Sequence, residues 1–151
     1  MKRTITLVIV ACLMLGLCFP ASAAYDPPAE PFSSNYFISY GTALTDAGSH
    51  RLHVAFTTVG MGMCDELGVA TFCVQKLFTL ENGTTIWSDI TGLLPGQTGH
   101  NVPSYTYGIF FQGVAGETYR VRCTFVCQKT FSDGTTGMEF KSHTSASMTV
   151  N

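Results

Sequence analysis

The segment 117–128 (ETYRVRCTFVCQ) constrains the fold more than any other stretch of the chain. Tyr119, Val121, Cys123, Phe125 and Cys127 alternate there with Arg120, Arg122, Thr124 and Gln128. Successive side chains of an extended strand point to opposite faces, so a period of two predicts one apolar and one polar face. A helix would scatter the same apolar residues around its whole circumference. No run of a dozen residues elsewhere in the domain has the spacing of an amphipathic helix, whereas strand patterns recur throughout. The fold class is therefore all-β.

The remaining strands follow from the same rule. Residues 36–44 form a first strand, and 51–58 a second with Leu52, Val54 and Phe56 on its apolar face. The glycine- and methionine-rich stretch 60–66, with Met61 and Met63, reads as a loop. It leads into a third strand at 69–78, in which Phe72 and Val74 face inward. Asn82-Gly83 tolerates the positive φ of a tight hairpin and feeds a strand at 85–90 that carries the only tryptophan, Trp87. A Gly- and Pro-rich loop at 93–103 precedes a fifth strand at 105–112, and 113–116 turns the chain into the sixth at 117–128. Ser132-Asp133-Gly134 makes a hairpin before the last strand at 139–150. Seven antiparallel strands with turns at this spacing predict a β-sandwich over residues 35–151.

Ahead of the domain, Lys2 and Arg3 precede an apolar run over 5–19 and then Pro20-Ala21-Ser22-Ala23. This is the pattern of a secretory signal peptide over 1–23, cleaved after Ala23. The run falls short of the roughly 20 apolar residues needed to span a bilayer, so the mature chain is expected to be released without a membrane span. Pro27, Pro28 and Pro31 exclude regular structure from 24–34, an extended tether. Only 12% of the chain is charged and 46% is apolar, which argues against disorder and against a polybasic nucleic-acid binder. Loss of Lys2 and Arg3 leaves six basic against ten acidic residues, a formal charge of −4 that disfavours nucleic acid and anionic lipid as partners.

Gly116-Glu117-Thr118-Tyr119-Arg120-Val121 resembles the start of strand F in immunoglobulin-like and fibronectin type III domains. The resemblance implies an immunoglobulin-like sandwich in which Tyr119 makes a tyrosine corner, its hydroxyl bonding back to the preceding loop. A wider pattern also resembles small secreted bacterial β-sandwich proteins that have no assigned function. It comprises Leu67-Gly68-Val69, Val74-Gln75-Lys76, Asn82-Gly83, Trp87 and the corner itself, and it covers most of residues 36–150. These are folding motifs, implying a fold and an export route but no catalytic residue. The chain departs from the antibody pattern at two points: Trp87 follows the hairpin, and Tyr119 lies four residues before Cys123 rather than two.

Cys12 and Cys18 leave with the leader, and the even remainder, Cys64, Cys73, Cys123 and Cys127, favours disulfides in an exported chain. Cys123 and Cys127 are four apart on a regular strand, about 13 Å, beyond the roughly 7 Å that a bridge allows. The immunoglobulin-like arrangement makes the third and sixth strands neighbours, which implies Cys73 with Cys123 and Cys64 with Cys127. Alternation opposes the first pair, because Phe72 and Val74 inward put Cys73 outward. Cys64 with Cys73 stays open. With no C-x-x-C, with His50 and His53 on opposite strand faces and with His100 and His143 isolated, neither metal nor cofactor is expected.

No nucleophile elbow, phosphate loop, dinucleotide fingerprint or zinc-protease motif occurs. Asp65 and Glu66 read as solvated loop acids. Surface aromatics are the feature that points to binding, since exposed rings make platforms for sugars or contact patches for proteins. Trp87, Tyr105, Tyr107 and Phe110 are the candidates; Tyr105, Tyr107, Ile109 and Phe111 share one strand face, and the competing reading places them in the core. The expectation is a secreted, non-enzymatic module that binds a protein or glycan at or outside the cell envelope. The alternative is a small secreted enzyme or enzyme inhibitor acting through 59–68 and 92–104, which needs His100 or His53 joined to a carboxylate.

Overall fold

A computed structural model describes residues 34–151, so the leader, Cys12, Cys18 and the tether before Ser34 lie outside the described residues. The described residues contain no helix, and eight strands pair antiparallel in one sheet. They are β1 (Phe37–Asp46), β2 (Arg51–Thr79), β3 (Thr85–Asp89), β4 (Leu94–Pro95), β5 (Thr98–Gln112), β6 (Thr118–Thr130), β7 (Thr136–Thr144) and β8 (Met148–Thr149). The order runs β1-β2-β6-β7, with β3, β4 and β5 on β2 and β8 on β6. No helix among these residues is long and apolar enough to cross a membrane.

The largest departure from expectation is β2. Its 29 residues merge the second and third predicted strands and absorb the predicted loop at 60–66. That loop survives as a bulge: Val59 pairs with Ser104 and Cys64 with Val102, so the four residues between them oppose Pro103 alone. Gly62 takes φ +86° there, and Lys129 donates to the Met61 carbonyl. Extra residues on one strand bend it and increase its twist. In a straight strand Phe56 and Phe72 would lie roughly 50 Å apart. Their ring centroids are 5.3 Å apart, so β2 turns back on itself and the sheet curls around its inner face. The predicted loop at 93–103 is likewise mostly strand, since β5 begins at Thr98, and the last predicted strand is broken into β7 and β8.

The curl encloses the core. Leu52, Val54 and Phe56 from the first half of β2 and Phe37 from β1 bury against Phe72, Val74, Val121, Cys123 and Phe125 from the second half and β6. Tyr40 of β1 lies 5.3 Å from Phe125 across the interior. The tight turns sit where Asn-Gly and Asp-Gly predict them, with Gly83 at φ +80° and Gly134 at φ +82°. Tyr119 is 2% exposed, and its hydroxyl accepts a hydrogen bond of 3.1 Å from the Val114 N–H in the preceding turn.

Candidate binding surface

The outward face of the second half of β2 carries the most organised polar array among the described residues. In register, Asp89 of β3 lies opposite Gln75, which lies opposite Arg120 of β6; Trp87 lies opposite Leu77, and Cys73 opposite Arg122. Positions two apart share a face, so these side chains converge above one patch of sheet. Arg120 Nε donates to Gln75 Oε1 at 2.7 Å, and Gln75 Nε2 donates to Asp89 Oδ1 at 2.6 Å. Arg122 Nη2 donates to Asp89 Oδ2 at 3.0 Å. The Arg120 guanidinium stacks 4.2 Å over the Trp87 ring, a cation–π contact that holds the indole in place.

The hydrogen bond from Gln75, followed by the charge of Arg122, holds the Asp89 carboxyl below the ordinary carboxylate range. Cys73 lies beneath the array, 1% exposed, with its thiol in contact with both Asp89 and Arg122. Two guanidiniums against one carboxylate make the patch locally cationic in an otherwise acidic chain. Chemically it offers an aromatic plane beside fixed donors and one fixed acceptor.

The four aromatic candidates do not converge. Trp87 is half-buried in this array, while Phe110 lies on the other half of the sheet, opposite His53 and 61% exposed. There its ring centroid is 5.0 Å from that of His53, and Arg51 lies 4.6 Å above it. Tyr105 and Tyr107 pack against the core, Tyr107 parallel to Phe56 at 5.7 Å, and the Tyr105 carbonyl accepts from the Thr58 hydroxyl. Tyr107, which shares a strand face with Ile109 and Phe111, is held where those two are, against the buried cluster.

The cysteines divide in the same way. The register sets Phe72, not Cys73, opposite Cys123, so Cys123 enters the core while Cys73 faces out, and the implied Cys73–Cys123 bridge is not formed. Strand alternation outweighs the neighbour relation that suggested it. Cys64 and Cys127 do come together, with sulfurs 3.1 Å apart, longer than the roughly 2.05 Å of a disulfide. All four are thiols. Burial, first, and then the neighbouring Cys64 thiol push Cys127 up to about 12; burial raises Cys123 to about 11.

The segments 59–68 and 98–104 are strand rather than open loop. His100 Nδ1 meets the Asp65 backbone oxygen at 3.2 Å, and His53 faces Phe110. Among the described residues no group of three or more His, Cys, Asp and Glu could hold a metal ion.

Gln75, Asp89, Arg120 and Arg122 were missed as candidates from sequence. Their signal was present in part: period two puts Arg120 with Arg122, and Trp87 with Asp89, on common faces. What joins the pairs is the register of three strands, which no local pattern carries. Compared with known proteins, the chain matches no protein-family model and no curated protein.

Proposed function

We propose that this chain is an exported, non-enzymatic β-sandwich module of immunoglobulin-like type that binds a glycan at or outside the cell envelope through the Trp87 face. The observation that carries the reading is the ordered array on that face: an indole pinned by Arg120, beside Gln75, Asp89 and Arg122 already oriented by one another. Sugar rings stack on aromatic planes, while their hydroxyls bond to planar polar side chains held at fixed positions. Groups ordered before binding reduce the entropy lost on association. The leader residues Lys2, Arg3 and 5–19 support export.

Trp87 is the only tryptophan, so its fluorescence reports this face alone. Secreted protein would be titrated with a panel of neutral and uronic-acid oligosaccharides. A saturable emission change with one or more of them, lost in Arg122→Ala, is expected, together with loss of binding by Trp87→Ala in calorimetry. A flat response across the panel, or binding that survives Trp87→Ala, would sink the glycan assignment; protein captured through this same face would redirect it to a protein partner. An intact mass that does not begin at Ala24 would sink the export half of the proposal independently.

A further inference from the structure

Among the described residues β7 ends the strand path and pairs only with β6, leaving one edge without a strand partner. Which backbone groups point outward is set by the hairpin at one end and the turn at the other. Phe131 N–H donates to the Thr135 carbonyl, and Ser145 N–H to the Val121 carbonyl. In an antiparallel ladder such bonded pairs recur every second residue. The odd-numbered residues of β7 therefore bond β6, and Thr136, Met138, Phe140, Ser142 and Thr144 direct their N–H and C=O groups to the open edge. Two of these carry exposed apolar side chains, Met138 at 47% and Phe140 at 57%.

We infer that this edge pairs with β7 of a second copy of the chain, antiparallel about a twofold axis at Phe140. The strand is self-complementary about that residue. In such a pair Phe140 meets the partner's Phe140, and residues equally displaced on either side meet each other. Glu139 and Lys141, which pair with each other at 2.8 Å within the chain, would then face the partner's Lys141 and Glu139 and join a four-charge network, and Thr136 faces the partner's Thr144. Opposite charges directly across a ladder stabilise the pair, whereas like charges would oppose it. Because the outward groups belong to the even residues, a twofold at Phe140 makes all five even positions bonded pairs, up to about ten hydrogen bonds. A twofold at Glu139 or Lys141 would also let even residues bond, but over fewer positions and with Glu139 facing its own copy or Lys141 facing its own copy, like charges directly opposed.

Among the described residues β3, β4 and β5 pair with β2 alone and so leave further edges, but none of them carries a Glu or a Lys, and β1, at the opposite end of the strand path, lacks these properties too. β1 has a register slip between Phe37 and Ser39, and such irregularity spoils an edge as a template. Tyr40 of β1 meets His143, and the residues just ahead of β1 also lie against β7, Ser34 on Glu139 and Tyr36 beside Gly137. Edge pairing with one aromatic contact is small beside a standard interface, so the dimer is concentration-dependent.

The test is sedimentation of the mature chain from low micromolar to submillimolar concentration, for the wild type, Phe140→Lys and Phe110→Lys. The expected result is a wild-type dimer at the upper end that Phe140→Lys abolishes and Phe110→Lys, on the other half of the sheet, retains. A wild type that stays monomeric throughout, or a dimer that Phe140→Lys leaves intact, overturns the inference. Should Phe140→Lys not fold, amide exchange on the wild type decides. Met138, Phe140 and Ser142 gain protection with concentration if the edge pairs, and protection independent of concentration overturns it. Neither readout involves Trp87, so the dimer and the glycan reading fail separately.

Discussion

Over residues 52–58 of β2, Leu52, Val54, Phe56 and Thr58 are buried, and the residues between them are partly or fully exposed. Over residues 72–75 of the same strand, Phe72, Cys73, Val74 and Gln75 are all buried. Both halves are paired on both edges, so backbone bonding does not separate them. The difference is what lies on the outer face. Above the first half stand the small residues Ala43, Ala55 and Gly108 and an exposed stack of Arg51, Phe110 and His53 that leaves the strand between them open, while above the second half Trp87, Asp89, Arg120 and Arg122 close over Cys73 and Gln75. A strand can thus be buried on its polar side by polar neighbours that satisfy one another, and the candidate binding surface is that cover.

The largest effect should come from the inner face, which the two halves share. Phe56→Ala removes the ring that meets Phe72 and Tyr107, and it should cost about 3–5 kcal/mol in urea unfolding. A cost below about 1 kcal/mol would mean that the halves do not pack on one another.

On the outer faces the halves should respond unequally. Gln75→Ala strips hydrogen bonds from Arg120 and Asp89 and should cost about 1–2 kcal/mol. Thr57→Ala, exposed on the first half, should stay within about 0.5 kcal/mol of wild type. Equal values would erase the distinction between the two faces.

The smallest effect concerns the join between the halves, where His143 of β7 lies beside Tyr40 and Phe125. Burial lowers its pKa below the ordinary 6.5, so the folded state favours the neutral ring and the unfolded chain binds the proton more readily. The stabilising contribution is complete above pH 6.5 and declines as pH falls through that value toward the folded pKa. His143→Gln should flatten the stability profile in this window; an unchanged slope would assign it to other groups.

The alternation at Tyr119–Cys127 and at Leu52–Phe56 was legible because each strand there has one side against the core, and local chemistry follows the pleat. The break between the second and third predicted strands was not, because Gly60-Met61-Gly62-Met63 has loop composition whether it leaves the sheet or bulges within it. Half of the candidate binding surface was legible in Trp87. The other half was spread over outward polar positions, the class of residue that a strand pattern assigns to solvent.

The sequence by itself determined the all-β class, the turns at Asn82-Gly83 and Asp133-Gly134, and the inward faces of the alternating strands. These depend on steric and burial preferences acting over a few residues. Only the tertiary structure decided that β2 bends back through a bulge, that Cys64 meets Cys127 while Cys73 turns away from Cys123, and that Trp87, Gln75 and Arg120 share a patch. Each of those depends on the register between strands distant in sequence, and the competing registers differ in the sum of many cross-strand contacts rather than in any local signal.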